Sequence, residues 1–202
     1  KEATPPHSLT MTMIGASLLW VGWFGFNAGS NLEANGLAAL AFINTFVATA
    51  AAAVAWCIIE QFHHGKPSLL GAVTGAVAGL VAITPASGFA APMTSILLGF
   101  AASAVCYLFV AIVKNKLKYD DTLDVFPCHG IGGMAGMLLT GVFAKDVGLT
   151  SGRLDTFLVH CGALIFVAAF SFSGSYLLYR LTDLVIPLRV SAEQEEMGLD
   201  LS

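Results

Sequence analysis

The sequence predicts an all-α integral membrane protein with six transmembrane helices. Of its 202 residues, 56% are hydrophobic and 11% are charged, whereas about a quarter of a soluble domain is charged. The mean hydropathy is +0.79. The charges leave uncharged runs at 3–32, 34–59, 67–113, 125–144 and 156–179. About 20 apolar residues cross a bilayer as a helix, and backbone groups in lipid must be paired within the helix.

The longest run, residues 67–113, is too long for one crossing. Its segment ITPASGFAAP, residues 83–92, contains two prolines and a glycine, which interrupt a helix. The predicted spans are therefore 9–29, 36–59, 68–89, 93–113, 125–144 and 156–179. We assign residues 1–187 to the transmembrane helix bundle and residues 188–202 to a tail. The opening KEATPPHS lacks a start methionine, so we expect an upstream part of the protein.

The basic residues predict the orientation of the spans, because short loops rich in Lys and Arg stay in the cytoplasm. Only Lys145 and Arg153 fall on the side opposite to the other seven basic residues. We therefore expect a multi-pass protein of the plasma (inner) membrane, surrounded by lipid, with both ends of the chain in the cytoplasm. The net charge of −4 gives no reason to expect a nucleic-acid partner.

The segment GWFGFNAGS, residues 22–30, carries a polar and aromatic cluster within the first span. Trp23, Phe26, Asn27 and Ser30 are spaced i, i+3, i+4 and i+7, so they share one face of a helix. An aromatic face and a hydroxyl acceptor can offset the loss of water from a cation. The alternative is an aromatic belt at the membrane interface with a serine at the helix end.

The fifth span contains a histidine beside a run of small residues. His129, Gly132, Gly133, Gly136 and Thr140 are predicted to share one helix face. An ionisable side chain inside a membrane indicates a functional site, and desolvation would favour its neutral form. A neutral imidazole can hydrogen-bond a small polar molecule or relay a proton. The alternative is an imidazole bonded to a backbone carbonyl within the helix packing.

Other motifs do not indicate an enzyme, a cofactor or a metal site. The four cysteines are isolated within the spans, without the close spacing of a zinc site or a disulfide framework, and are expected to pack as small apolar residues. The segment GIGGMA, residues 130–135, fits a dinucleotide-binding pattern. That pattern needs a preceding strand, and here an apolar span surrounds it. We therefore expect no catalytic residues.

Several long segments resemble successive blocks of the ammonium transporter (Amt) family. They include GWFGFNAGS, ALAFINTFVATAAAAVAW, GKPSLLGAVTGAVAGLVAITPASG, DDTLDVFPCHGIGGMAGMLLTGVFA and the tail LRVSAEQEEMGLD. The resemblance runs from about Pro6 to Asp200. It implies an eleven-helix, inverted-repeat fold that assembles as a homotrimer with a pore in each subunit. This chain resembles the C-terminal half, helices six to eleven.

The resemblance also implies roles for individual residues. Ser30 matches the serine of the outer ammonium recruitment site, and Trp23 matches a tryptophan on the pore side of the same helix. Phe26 matches a gate phenylalanine and His129 one of two pore histidines, while Asp124 matches a structural aspartate at the cytoplasmic end. Ammonium or methylammonium would be desolvated at the outer site, and the neutral molecule would pass the apolar pore.

Two functions remain open at this point. The first is transport of ammonium for nitrogen uptake, which would need the pore residues that the family carries in its first five helices. The second is an ammonium sensor or scaffold that acts through the cytoplasmic tail. The family resemblance implies a PII-type regulator as a possible partner at the cytoplasmic face.

Overall fold

A computed structural model describes residues 5–201, in which the regular elements are all helical. In this part of the chain, six helices are long and apolar enough to cross a membrane. They are Leu9–Asn31, Gly36–His64, Leu69–Ala86, Pro92–Leu117, Phe126–Phe143 and Leu154–Val185. The all-α class and the six predicted spans are thereby confirmed, including the interruption between the third and fourth spans.

The spans contain α-helices and shorter turns of 3₁₀ or π geometry. The α-helices are α1 (Leu9–Ala28), α2 (Gly36–His64), α3 (Leu69–Ile83), α4 (Pro92–Leu108), α5 (Lys114–Leu117), α6 (Gly132–Phe143), α7 (Leu154–Val185) and α8 (Ala192–Met197). The 3₁₀ turn Thr84–Ala86 follows α3. The π turn Phe109–Val113 precedes α5, and the π turn Phe126–Ile131 precedes α6.

Polar side chains define where the first helices begin. The Oγ of Ser8 accepts a hydrogen bond at the start of α1, and the Oγ of Ser68 does the same for α3. The side-chain oxygen of Asn35 accepts from two backbone N–H groups of α2. Pro92 begins α4, where a proline loses no intrahelical bond. These caps pair N–H groups that a helix terminus otherwise leaves free.

Small residues allow α3 to pack closely on α2. A Cβ atom added to Gly75 would lie 2.6 Å from the Cβ of Trp56, and one added to Gly79 would lie 2.6 Å from the Cβ of Ala52. The G-x-x-x-G spacing in α3 therefore forms a close helix contact, as such faces do in membranes. Gly99 of α4 similarly leaves room for the Ala48 carbonyl of α2.

Contacts divide the chain into two compact units, with the division between residues 161 and 162 inside α7. The first unit contains α1 to α6. In the second unit, α7 ends at Val185, and α8 begins with a capping box formed by Ser191 and Gln194. The separation of a helix bundle, 1–187, from a tail, 188–202, stays a prediction.

Candidate functional site

Phe26 and Ser30 line the same cavity, which has a volume of about 420 Å³. Phe26 belongs to α1, and Ser30 lies in the 3₁₀ turn that follows it. The other lining residues come from this turn, from α2 and from the connection between α3 and α4: Asn27, Asn31, Leu37, Ala41, Thr84, Ser87, Gly88 and Phe89. Two residues singled out in the sequence therefore share one recess.

The hydroxyl of Ser30 is available to a ligand. Ser30 is exposed, and its Oγ donates a hydrogen bond to the backbone carbonyl of Phe26. Because the hydroxyl uses its proton in this bond, the lone pairs of the oxygen remain to accept from a cation. The Phe26 side chain is 59% exposed and offers an aromatic face. The recess thus combines the two groups that can replace water around a cation.

Trp23 contacts Phe26 but directs its N–H to another element. Its Nε1 donates to the Oγ1 of Thr84 over 2.9 Å, and that hydroxyl donates to the carbonyl of Leu80 over 2.8 Å. The ring centroids of Trp23 and Phe26 lie 5.3 Å apart. The indole N–H therefore joins α1 to the 3₁₀ turn that follows α3, and the indole ring contacts Phe26. A part in substrate recruitment stays a prediction.

Asn27, the fourth member of the predicted face, joins α1 to α2. Its side chain is buried, and its Nδ2 donates to the Oγ1 of Thr45 over 3.0 Å. The hydroxyl of Thr45 donates in turn to the carbonyl of Ala41. The shared face of α1 thus combines cavity-lining side chains with polar bonds that fix the position of the helix.

His129 lies in the π turn that precedes α6, and its side chain is exposed. Wide turns of this kind are frequent at functional sites. The described part of the chain offers its imidazole no hydrogen-bond partner, whereas Nδ1 of His160 is 2.9 Å from the carbonyl oxygen of Thr156 in its own helix. The alternative of an imidazole tied to a backbone carbonyl therefore describes His160 and not His129.

Most of the glycine face that was predicted around His129 packs against other helices. A Cβ on Gly136 would meet the carbonyl oxygen of Ala82, and Thr140 is buried with its hydroxyl donating to the Gly136 carbonyl. A Cβ on Gly133 would meet one methyl group of Val81 at 3.8 Å. The part of the predicted face that carries Gly136 is therefore filled by α3.

Two aspartates form hydrogen bonds and an ion pair at the start of the π turn. The carboxylate of Asp121 accepts from the N–H of Val125 over 2.9 Å and from that of Phe126 over 2.8 Å. Asp124 has a φ of 54° and forms a 2.6 Å ion pair with Lys114. Asp121 therefore pairs the first N–H groups of the span, and the structural role of Asp124 stays a prediction. Asp121 was not among the predicted site residues, although an acidic residue just before a span is a recognised start signal.

Tyr119 packs beside the start of this turn. Its ring stands perpendicular to that of Phe126, with centroids 5.9 Å apart. Burial raises the pKa of Tyr119 above its ordinary value, and the nearby Asp121 carboxylate raises it further. The phenol is therefore uncharged at neutral pH, and its ring adds an apolar contact to the first turn of the span.

Replacing Asp121 by alanine should loosen the turn that carries His129. Loss of a capping side chain typically lowers the free energy of unfolding by about 1 kcal/mol, and hydrogen exchange at the amides of Val125 and Phe126 should accelerate about fivefold. Asp121→Asn keeps one acceptor oxygen and should change exchange less. Equal exchange in the wild type and in Asp121→Ala would show that the carboxylate does not hold the turn.

The described residues contain no group of three or more His, Cys, Asp or Glu side chains placed to hold a metal ion. Cys106 and Cys128 are buried, and all four cysteines are free thiols.

Comparison with known proteins identifies relatives over the whole chain. The profile of the Ammonium Transporter Family matches residues 1–202. An ammonium transporter of Bacillus subtilis is 44% identical over 207 residues, which cover 99% of this chain and 51% of the relative. An ammonium transporter of Aquifex aeolicus is 48% identical over 202 residues, which cover 98% of this chain and 48% of the relative.

Solved structures give a similar result. The crystal structure of Candida albicans Mep2 is 31% identical with a TM-score of 0.88, and the match covers 94% of this chain and 45% of that one. A structure described as a Sensor Amt Protein is 29% identical with a TM-score of 0.89, covering 96% of this chain and 49% of that one. This chain therefore spans about half the length of its relatives and has the fold of their C-terminal half.

Proposed function

Because the chain belongs to the ammonium transporter family, we propose that it is the second half of a protein that transports ammonium or methylammonium across a membrane. Its six apolar helices make it a multi-pass membrane protein. The observation that carries the proposal is the cavity in which the Phe26 ring and the Ser30 hydroxyl meet.

The cavity lined by Phe26 and Ser30, here called the outer cavity, would recruit the cation. A cation that leaves water needs replacement contacts, and the Ser30 oxygen can accept a hydrogen bond while the Phe26 ring faces the positive charge. Trp23 would support this step through its contact with Phe26. Phe26 would then act as the gate, because its ring lines the cavity that the molecule would leave to enter the pore.

His129 would serve the uncharged molecule in the pore. Moving a bare ion through an apolar lumen costs several kcal/mol even after relaxation, whereas neutral ammonia is far easier to move. An exposed imidazole without a partner in the described chain can offer ammonia a donor or an acceptor. Asp124, paired with Lys114, would keep the cytoplasmic end of this span in place.

The relatives are about twice as long as this chain, and the part of them that it does not match suggests what covers these side chains. In the full-length protein, the other half would lie over the faces that carry Phe26 and His129 and would close the pore. The protein would form homotrimers in the plasma membrane with both ends of this segment in the cytoplasm. A PII-type regulator would bind at the cytoplasmic face.

An ammonium sensor is the second candidate function. One structural neighbour is described as a Sensor Amt Protein, so the same half-fold occurs in a protein with that description. In this case the cavity would still bind the cation, but the output would pass through the tail to a partner. Transport predicts net uptake by purified protein, and sensing predicts cation binding without comparable uptake.

Replacing Ser30 by alanine in the full-length protein should weaken methylammonium uptake at low concentration. A hydrogen bond to a charged group contributes about 1.5 to 3 kcal/mol, so the half-saturating concentration should rise about ten- to hundredfold. The variant should remain folded, because Ser30 is exposed and its bond lies within its own helix turn. Uptake by proteoliposomes over a range of concentrations measures the effect.

Ser17→Ala provides a matched control. Ser17 is an exposed serine of the same helix whose Oγ donates to the carbonyl of Met13, four residues earlier, as Ser30 does to Phe26. It does not line the cavity, so its replacement should leave the half-saturating concentration within about twofold. Equal behaviour of the two variants would remove the recruitment role from Ser30.

A further inference from the structure

The connection between α3 and α4 forms one wall of the outer cavity. It begins with the 3₁₀ turn Thr84–Ala86 and ends before Pro92, and Ser87, Gly88 and Phe89 line the cavity. Within it, the carbonyl of Ala86 accepts from the N–H groups of Phe89 and Ala90, and the carbonyl of Thr84 accepts from the Oγ of Ser87 over 3.2 Å. The carbonyls of Ser87, Phe89 and Ala90 accept hydrogen bonds from other elements instead.

Asn44 of α2 supplies two of these bonds. Its side chain is fully buried, and Nδ2 donates to the carbonyl of Ser87 over 2.8 Å and to that of Ala90 over 2.7 Å. Both partners are acceptors, so the amide nitrogen must face them and both of its hydrogens are used. One side chain thus fixes two carbonyls three residues apart.

A third bond reaches the wall from the residues that follow α6. The backbone N–H of Lys145 donates to the carbonyl of Phe89 over 2.8 Å. Phe89 therefore lies between the two carbonyls that Asn44 holds and is itself held from another part of the bundle. The wall is fixed from two independent sides.

Among residues 5–201, the oxygen of the Asn44 amide has no hydrogen-bond partner. A buried polar atom without a partner is unfavourable, so the amide is a costly choice for packing alone. Its two donated bonds are what a leucine of similar size would lack. This combination points to a role in holding the connection.

We propose that Asn44 is a positioning residue of the outer cavity: it holds the Ser87–Ala90 wall in the shape that the cation requires and thereby sets the affinity of the site. Asn44 itself does not line the cavity and acts through the backbone that does. The inference rests on the proposed function for its effect on affinity, while its effect on the wall is independent of transport.

Asn44→Leu tests the inference in the full-length protein, since it keeps the volume and removes both donors. Hydrogen exchange at the amides of Phe89 and Ala90 should accelerate at least tenfold. The half-saturating concentration for methylammonium should also rise at least tenfold, with the maximal rate per folded protein within twofold. Asn44→Asp, which can donate one bond when neutral in the apolar interior, should give intermediate values in both measurements.

Thr49→Val is the matched control. Thr49 is another fully buried polar residue of α2, but its hydroxyl donates to the carbonyl of Thr45 in the same helix. Its replacement should alter stability without changing exchange at the wall or the half-saturating concentration. A merely structural role of Asn44 would lower the amount of folded protein in the same way and leave both quantities unchanged.

Lys145→Pro keeps the inference testable if the Asn44 variants do not fold. It removes the N–H that holds Phe89, and the preceding Ala144 already has φ −58° and ψ 126°, which a following proline tolerates. It should raise exchange and the half-saturating concentration in the same direction.

Unchanged exchange in folded variants, or faster exchange with an unchanged half-saturating concentration, would overturn the inference. A wild-type protein that shows no uptake would instead overturn the proposed function. Methylammonium binding to the purified protein would then replace uptake as the measure of affinity, and the same two criteria would decide the role of Asn44.

Discussion

Replacing Gly136 by alanine should clearly lower the stability of the folded protein. The added Cβ would meet the carbonyl oxygen of Ala82 and would lie 2.8 Å from its Cα. These are backbone atoms of a buried helix and cannot rotate away, so α6 must move from α3. Overpacking of this kind typically costs about 1 to 3 kcal/mol and occasionally more. Thermal unfolding of the detergent-solubilised full-length protein, followed by size exclusion, measures the loss.

Gly133→Ala is the control for this effect. It lies one turn earlier in the same helix, and its added Cβ would meet only the Val81 Cγ1, at an ordinary 3.8 Å. Alanine also favours the helix over glycine by about 1 kcal/mol, so this variant should be at least as stable as the wild type. If Gly136→Ala unfolds at the same temperature as Gly133→Ala, the close contact between α6 and α3 is wrong.

The bundle could be predicted because its signals are local in the sequence. Charges at the junctions mark where spans end, and the prolines and glycine of residues 83–92 mark the break that became the 3₁₀ turn Thr84–Ala86. The i, i+3, i+4, i+7 spacing was also enough to bring Phe26 and Ser30 to one cavity. Helical periodicity fixes which residues share a face.

Helical periodicity could not predict which residues of other helices these faces contact. The bond from Trp23 to Thr84 joins residues 61 positions apart, and Asn44 reaches Ser87 across 43 positions. Such pairs depend on how helices are placed against one another. Periodicity also could not show that α3 would fill the space beside Gly136, nor which of two nearby aspartates would pair the N–H groups of the π turn.

Replacing His129 by leucine should reduce uptake of methylammonium at every concentration. Leucine has a similar size but neither a donor nor an acceptor, so a neutral amine in the pore would lose its partner. An unpaired polar group costs about 1 to 3 kcal/mol in proteins, which corresponds to roughly a five- to hundredfold lower rate. The variant should fold, because the imidazole is exposed and makes no hydrogen bond within residues 5–201.

His160→Leu separates this effect from a general loss of histidine. The imidazole of His160 bonds to the carbonyl of Thr156 within its own helix, so its replacement removes only a local hydrogen bond. We expect uptake per folded protein within about twofold of the wild type. A comparable loss in both variants would indicate that either substitution disturbs the bundle as a whole.

The most direct test of the central claim is to measure how methylammonium uptake depends on concentration. The measurement uses proteoliposomes that contain the full-length Ser30→Ala or His129→Leu protein. The account assigns Ser30 to capture of the cation and His129 to passage of the neutral molecule. It predicts that high concentration restores uptake by Ser30→Ala but not by His129→Leu. If the His129→Leu variant takes up methylammonium as fast as the wild type at all concentrations, the histidine has no role in the pore and the account is contradicted.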